Sequence, residues 1–385
     1  MRILQVSYTY PPFLEMGGPP VKVRAIAEGL VARGHDVTVL TANHGRPSGS
    51  HTRRVGGVEI VYLRTAARYR VTTLNPGAIG FCRRRMSEFD AVHIYGLYDL
   101  LGPIAGRYAS RLGVPYVLEP LGMFRPIVRS LGKKRAYHAL LGGHLVRDAS
   151  RVIATSEQER FELLEGGIPR SKVVLRRNGI DLREFERLPP TGKFRARWGI
   201  APEEPVTTFL GRLAIKKRTE MLVSAFASTA KGRLVFAGPD EDGTTDRLIQ
   251  AAERLGIRDR LVFTGAIYGE DKVSALADTD VFVLPSESEN FGNSVAEAMA
   301  CGTAVIVTDR CGIAPYVNDR AGLVVRLDEE DLSRALENLL SDPGLRQRFA
   351  SQGPEVAKEL SWNEPIDETE ALYEELSRPG AGSSS

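Results

Sequence analysis

Two acids eight positions apart carry most of the chemistry that this chain suggests. The segment Pro285-Ser-Glu-Ser-Glu289-Asn-Phe-Gly292-Asn-Ser-Val-Ala-Glu297-Ala-Met-Ala-Cys-Gly302 leaves an apolar run, passes a loop containing Gly292, and enters a stretch of good helix formers. Backbone N–H groups from Asn290 to Asn293 are therefore expected at a helix N-terminus, a geometry that binds anions. Counted along a helix, eight steps of about 100° bring Glu297 to nearly the same side as Glu289, so two carboxylates would flank an anion site. The plain alternative is a solvated helix face with a capping acid, but such a face has no need of Phe291 and Gly292 between its acids.

Cations that suit an anionic ligand occur earlier, in Phe209-Leu210-Gly211-Arg212-Leu213-Ala-Ile-Lys216-Lys217. Arginine offers a planar fork to a diphosphate and lysine a point charge, although the same residues could be ordinary surface charge. A third element runs from Pro11-Pro12 through Gly17-Gly18-Pro19-Pro20. Its glycines permit close backbone approach to a ligand and its prolines suit a helix start; a plain strand-to-helix connection is the other reading. Asp240-Glu-Asp242 and Asp278-Thr-Asp280 spell the acid pair of some metal sites. They belong to the second of two like series of strands, not to a single mixed-sheet domain, so no metal role is expected. The chain lacks a Gly-x-Gly-x-x-Gly after its first strand and a Gly-x-x-x-x-Gly-Lys loop, and so lacks the usual anchors for NAD and ATP.

These loops need a scaffold, and the hydrophobic pattern supplies one. Consecutive apolar runs at 3–7, 36–40, 58–63, 91–95, 116–119, 152–155 and 173–175 alternate with helix-like stretches such as 21–33. This is the pattern of strands covered on both faces of a parallel sheet. A Pro/Gly segment, Leu188-Pro189-Pro190-Thr191-Gly192, interrupts it, and a second series follows at 206–210, 234–237, 261–264, 281–284, 304–307 and 323–325. The expected class is α/β, with two doubly wound domains facing a cleft. The expected boundaries are 1–186, 187–360, a C-terminal helix over 361–378 returning to the first domain, and a disordered tail over 379–385.

Composition agrees with this division. With 385 residues, 43% of them hydrophobic, each half can bury its own core. A net charge of +3 over such a length is far from a nucleic-acid footprint, so no nucleic-acid partner is expected. Cys82, Cys301 and Cys311 have neither disulfide-ladder nor zinc spacing. The N-terminal apolar stretch is too short for a signal peptide, and no run reaches the roughly 18 apolar residues of a spanning helix, so a cytoplasmic location is expected. Arg83-Arg84-Arg85 and the cluster Arg125, Arg129, Lys133, Lys134, Arg135 read as solvated faces or as a peripheral contact with anionic lipid.

The paired acids with seven residues between them resemble the signature of glycosyltransferase family 4, whose fold is GT-B, and the likeness extends over almost the whole chain. The resemblance implies a retaining, metal-independent glycosyltransferase acting on a UDP- or GDP-linked sugar, with no other cofactor, and a glycan or lipid-linked saccharide as acceptor. By resemblance Glu289 contacts the donor sugar, the loop at Asn290, Phe291, Gly292 and Asn293 contacts sugar and phosphate, and Glu297 holds the ribose hydroxyls. Gly211, Arg212 and Lys217 correspond to the family's Gly-Arg-Leu and downstream lysine on the diphosphate. Gly17 and Gly18 correspond to a loop facing donor phosphate and acceptor. The family usually has glycine where this chain has Arg218.

Asp90-Ala-Val-His93-Ile-Tyr95-Gly96 places His93 and Tyr95 on the acceptor side, with Tyr95 where many members have histidine. Glu119-Pro-Leu-Gly122-Met-Phe replaces a commoner His-Gly, and Ser156 with Glu159 has capping-box spacing. A glycosidase is disfavoured: eight helical residues rise about 12 Å, whereas its carboxyls lie about 5–9.5 Å apart. A sugar-nucleotide epimerase of the same fold and a non-catalytic partner subunit remain as competing readings.

Overall fold

The computed structural model describes residues 1–13, 18–45, 49–69, 72–124 and 142–378. Gly17, the basic residues Arg125 to Arg135 and the tail over 379–385 lie outside them. Contacts divide the chain into two compact units, Met1–Gly179 with the segment from Trp362, and Ile180–Ser361.

The first unit holds β1 (Arg2–Ser7), β2 (Asp36–Asn43), β3 (His51–Val55), β4 (Val58–Arg64), β5 (Ala67–Tyr69), β6 (Thr72–Leu74), β7 (Ala91–Tyr95), β8 (Tyr116–Glu119), β9 (Arg151–Ala154) and β10 (Val173–Leu175). Eight of these form one sheet in the order β10-β9-β8-β7-β1-β2-β4-β3, parallel except where β3 pairs antiparallel with β4. Alternate residues along each strand are buried on opposite faces. Ile3, Val37 and Val117 meet the helices Gly18–Ala32 and Asn363–Ser377 through Val23, Ile26, Ile366 and Tyr373. Leu4, Val92 and Leu118 meet Phe81, Leu101 and Leu145 on the other side. Covering both faces is what makes the strands read as unbroken apolar runs. Two features carry no such run: β3 is exposed along its whole length, and β5 and β6 form a short separate hairpin.

The second unit repeats the plan with β11 (Val206–Leu210), β12 (Arg233–Ala237), β13 (Leu261–Gly265), β14 (Val281–Leu284), β15 (Ala304–Thr308) and β16 (Gly322–Val325). The order β13-β12-β11-β14-β15-β16 is wholly parallel, around a core that includes Phe209, Phe226, Phe236 and Phe282. Strand order reverses between β1 and β7 in one sheet and between β11 and β14 in the other. At such a switch point the loops leave in opposite directions and open a crevice at the strand carboxyl ends.

Beneath the face covered by the helices Gly18–Ala32 and Asn363–Ser377 lies a buried ionic cluster. Glu119, at the end of β8 and fully buried, pairs with Lys22 and accepts a 2.7 Å hydrogen bond from Arg176 Nη2. Arg176 Nη1 donates to Thr369 Oγ1 at 3.0 Å, and His93 Nδ1 lies 2.5 Å from the Tyr373 hydroxyl, so the final helix is tied to the sheet by polar contacts as well as apolar ones. Burial alone would raise the Glu119 carboxyl, but Arg176 and Lys22 hold it far below the usual range. Burial pushes His93 down to about 4, against the pull of Glu119.

Both shifts make stability fall with acid. His93 is neutral in the fold and takes up a proton more readily when unfolded, which costs stability between its ordinary value and about 4. Glu119 contributes fully above the ordinary carboxylate value and progressively less below it. We expect the Tm to fall as pH is lowered from 7 to 4. We expect Glu119→Gln to cost about 3–5 kcal/mol, because it leaves two buried cations unmatched. Thermal unfolding against pH checks both, and a flat profile or an unchanged variant would refute them.

Candidate functional site

The loop after β11 is shaped by its contact with the loop after β12. Gly211 N donates to Ala237 O at 2.9 Å and Leu213 N to Pro239 O at 2.9 Å. A Cβ on Gly238 would lie 1.9 Å from Gly211 O, so the two backbones approach this closely only because residue 238 has no side chain. Arg212 then presents its guanidinium to both carboxylate oxygens of Glu241, each at 3.0 Å. A turn of 3-10 helix, Ile215–Lys217, ends in Arg218, which adopts a left-handed conformation (φ 51°, ψ 34°) and caps the helix Thr219–Ala227. A residue with a Cβ holds this left-handed conformation at a cost of about 1 kcal/mol. Arg218 also pairs with Glu287 at 2.6 Å.

The loop after β14 meets this one directly. Glu287 N donates to Lys216 O at 2.9 Å, and the Lys217 ammonium forms an ion pair with the Glu289 carboxylate. The loop after β15 supports the arrangement from the other side, with Glu289 N donating to Arg310 O, Gly312 N to Glu289 O, and Ile313 N to Phe291 O. Gly292 (φ 107°, ψ 57°) turns the chain into the helix Asn293–Ala300, a conformation hard for any residue with a Cβ. The first amides of that helix have no partners within it, and its dipole places partial positive charge there. Burial would raise the Glu289 carboxyl, but Lys217, with Lys216 and Arg212 nearby, holds it below its ordinary value.

One expectation needs correction. Glu289 is not on a helix with Glu297, because the helix begins only at Asn293 and Glu289 lies in the preceding loop, bridged to Cys311. Its position follows from the loops around it and not from helical spacing, so the 12 Å rise invoked against a glycosidase does not apply. Glu297 is one turn into the helix, and its carboxylate accepts a 3.0 Å hydrogen bond from Lys272. Burial raises the Glu297 carboxyl; Lys272 opposes the shift and Glu184 adds to it.

The second unit therefore brings Gly211, Arg212, Lys217, Glu289, Asn290, Phe291, Gly292, Asn293 and Glu297 to the carboxyl ends of β11 and β14. In the first unit, Gly18 opens the helix Gly18–Ala32, with Pro19 and Pro20 in its first turn. His93 and Tyr95 were expected on the acceptor side, but both are completely buried, their rings stacked 4.0 Å apart. They point to the sheet face that the two helices cover, so neither offers a surface for an acceptor to touch.

The acid pairs sit in local hydrogen-bond networks. Asp278 accepts from the amides of Gly192, Phe194 and Arg195, Asp280 pairs with Arg195, and Asp240 accepts from Thr244 and Thr245. The three cysteines are free and buried, which pushes their thiols up to about 12, 12 and 11 for Cys82, Cys301 and Cys311. Sequence reasoning missed Glu241, Lys272 and the loop Arg310 to Ile313. No local spacing links any of them to the motifs they support.

Comparison with known proteins agrees with this geometry. Residues 191–356 match the model of glycosyl transferases group 1, and residues 17–179 match a glycosyl transferase 4-like domain. A GDP-mannose-dependent alpha-mannosyltransferase of Mycobacterium tuberculosis is 31% identical over 383 residues, covering 97% of this chain and 96% of its own. An uncharacterized glycosyltransferase of Methanocaldococcus jannaschii is 27% identical over 395 residues, covering 97% and 98%. Among solved structures, Anabaena HepE in complex with UDP and glucose superimposes with a TM-score of 0.78 at 20% identity, covering 98% of this chain and 99% of that one. With its two parallel-sheet units and this relationship along nearly its full length, the chain belongs to the group 1 glycosyltransferases of the GT-B fold.

Proposed function

We propose that the chain transfers a sugar, with retention of configuration and without a metal ion, from a UDP- or GDP-linked donor to a glycan or lipid-linked saccharide in cell-surface glycoconjugate synthesis. The observation that carries this reading is the meeting of Lys217 with Glu289 beside the N-terminus of the helix Asn293–Ala300. Cations, an oriented carboxylate and a helix N-terminus at one place suit a sugar diphosphate. The donor class is supported by a relative named for GDP-mannose and a structural neighbour holding UDP and glucose.

On this reading Lys217 and Arg212 exchange their carboxylate partners for diphosphate oxygens. Gly211 and the loop Asn290 to Asn293 lie along sugar and phosphate, Glu289 binds the sugar, and Glu297 binds the ribose. The bond from the anomeric carbon to the diphosphate breaks with its electron pair staying on the diphosphate. The acceptor oxygen bonds to that carbon on the same face, and its proton passes to the departing phosphate. Preorganised cations stabilise the charge that builds on the leaving group. The first unit would bind the acceptor. Arg83 and Arg84, exposed at the end of the helix Gly77–Arg85, would favour an anionic membrane surface by about 1 kcal/mol each.

The test of this reading is turnover of UDP-glucose and GDP-mannose by the purified chain, with and without simple saccharide acceptors. We expect glycoside product of retained anomeric configuration by NMR and activity undiminished by EDTA. An inverted product, loss with EDTA restored by manganese, or epimerised sugar nucleotide without acceptor would each overturn it.

Steady-state kinetics separate the residues. Lys217→Ala should lower kcat at saturating donor by at least about tenfold, because one charge-assisted contact to the leaving group strengthens in the transition state. Glu289→Gln should lower kcat by about 10- to 1,000-fold, whereas Glu297→Gln should mainly raise donor KM, since ribose contacts are alike in ground and transition states. The reversed pattern would reject these roles.

A further inference from the structure

Glu297 does not stand alone. Lys272, on the helix Gly269–Ala277, places its ammonium 3.0 Å from Glu297 Oε1 and 3.1 Å from Glu184 Oε2, bridging the helix Asn293–Ala300 to the 3-10 turn Leu182–Phe185. The same ammonium lies 5.5 Å from the centre of the Phe185 ring, which limits its rotation from below. Its side chain is only 16% exposed, so this is a largely buried contact and not a surface pair. All four residues belong to the second unit.

We infer that Lys272 is a positioning residue for the nucleoside half of the donor, holding the Glu297 carboxylate in place to accept hydrogen bonds from the two ribose hydroxyls. The inference rests on the reading of Glu297 given above and adds a residue for which the family resemblance assigned no role. A carboxylate has two oxygens with about four acceptor sites. Lys272 occupies one side of Oε1, leaving the rest for the ligand. Lysine is also the cation that opposes neutralisation of Glu297: burial raises that carboxyl, Glu184 raises it further, and Lys272 lowers it. Among the described residues the Cys301 thiol also interacts with Glu297, and burial and Glu297 both raise it.

Binding of UDP and GDP, each compared with its 2′,3′-dideoxy analogue by titration calorimetry on the full chain, isolates the ribose hydroxyls. For whichever nucleotide binds more tightly, we expect wild type to favour the diol by about tenfold or more, the scale of hydrogen bonds to a charged group. Lys272→Met should erase most of that preference while leaving affinity for the dideoxy analogue within about twofold, as its apolar stem still covers Phe185. Lys272→Arg should retain most of it. The preference depends on the carboxylate form, so in wild type it is lost as pH falls through the raised Glu297 value. Without the lysine the carboxyl rises further, and the loss should move to higher pH.

A purely structural role would weaken diol and dideoxy nucleotides equally in Lys272→Met and leave the pH dependence unmoved, and that result overturns the inference. If Glu297→Gln abolishes the diol preference but Lys272→Met keeps it, the inference fails while the reading of Glu297 stands. No diol preference in wild type overturns both.

Discussion

The ion pair between Lys217 and Glu289 is the contact on which the arrangement of the second unit turns. It joins loops that are 72 positions apart in the chain and leave adjacent strands, β11 and β14, at the place where strand order reverses. Parallel strands end on the same edge of the sheet, so the loops after adjacent strands begin side by side even where the helices that follow depart to opposite faces. Of the two opposite charges placed there, the lysine favours the charged form of the carboxylate. Burial alone would raise the Glu289 carboxyl, and Lys217 holds it below its ordinary value. The fold thus fixes a charged pair at this edge of the sheet.

The first unit shows the same logic used for assembly. A buried carboxylate, Glu119, gathers Lys22 from the helix that opens at Gly18 and Arg176 from just beyond β10, and Arg176 in turn holds Thr369 of the final helix. Such a cluster adds little net stability over a well-packed apolar one, but it is unforgiving if one partner is lost. It lies beneath the helix that carries Gly18 and at the start of the loop containing Gly122, whose amide is held by Glu159 at 2.6 Å. The polar cluster therefore ties elements distant in sequence to a single register on the sheet.

Most of the scaffold was legible because a strand buried on both faces must be apolar at consecutive positions. The runs beginning at Ile3, Val206 and Val281 could hardly be read otherwise. β3 escaped notice since His51, Thr52, Arg53 and Arg54 lie on an exposed edge, where no periodic burial is imposed. The paired acids were visible as a spacing, yet the spacing misled on geometry: left-handed Gly292 starts the helix three residues after Glu289, so helical arithmetic never applied between the acids. His93 and Tyr95 were visible as polar residues at a strand end, but which sheet face they point to depends on pleat and on the helices that cover it.

By itself the sequence determined the α/β class, the repetition of one plan in two series of strands, and the residue types of the candidate site, since these follow from local periodicity and chemical identity. Only the tertiary structure decided their partners: Glu241 for Arg212, Lys272 for Glu297, and the loop Arg310 to Ile313 for Glu289. The reason is physical. Hydrogen bonds and ion pairs between loops are fixed by the order in which strands assemble in the sheet, and that order is a property of the packed core as a whole and not of any segment within it.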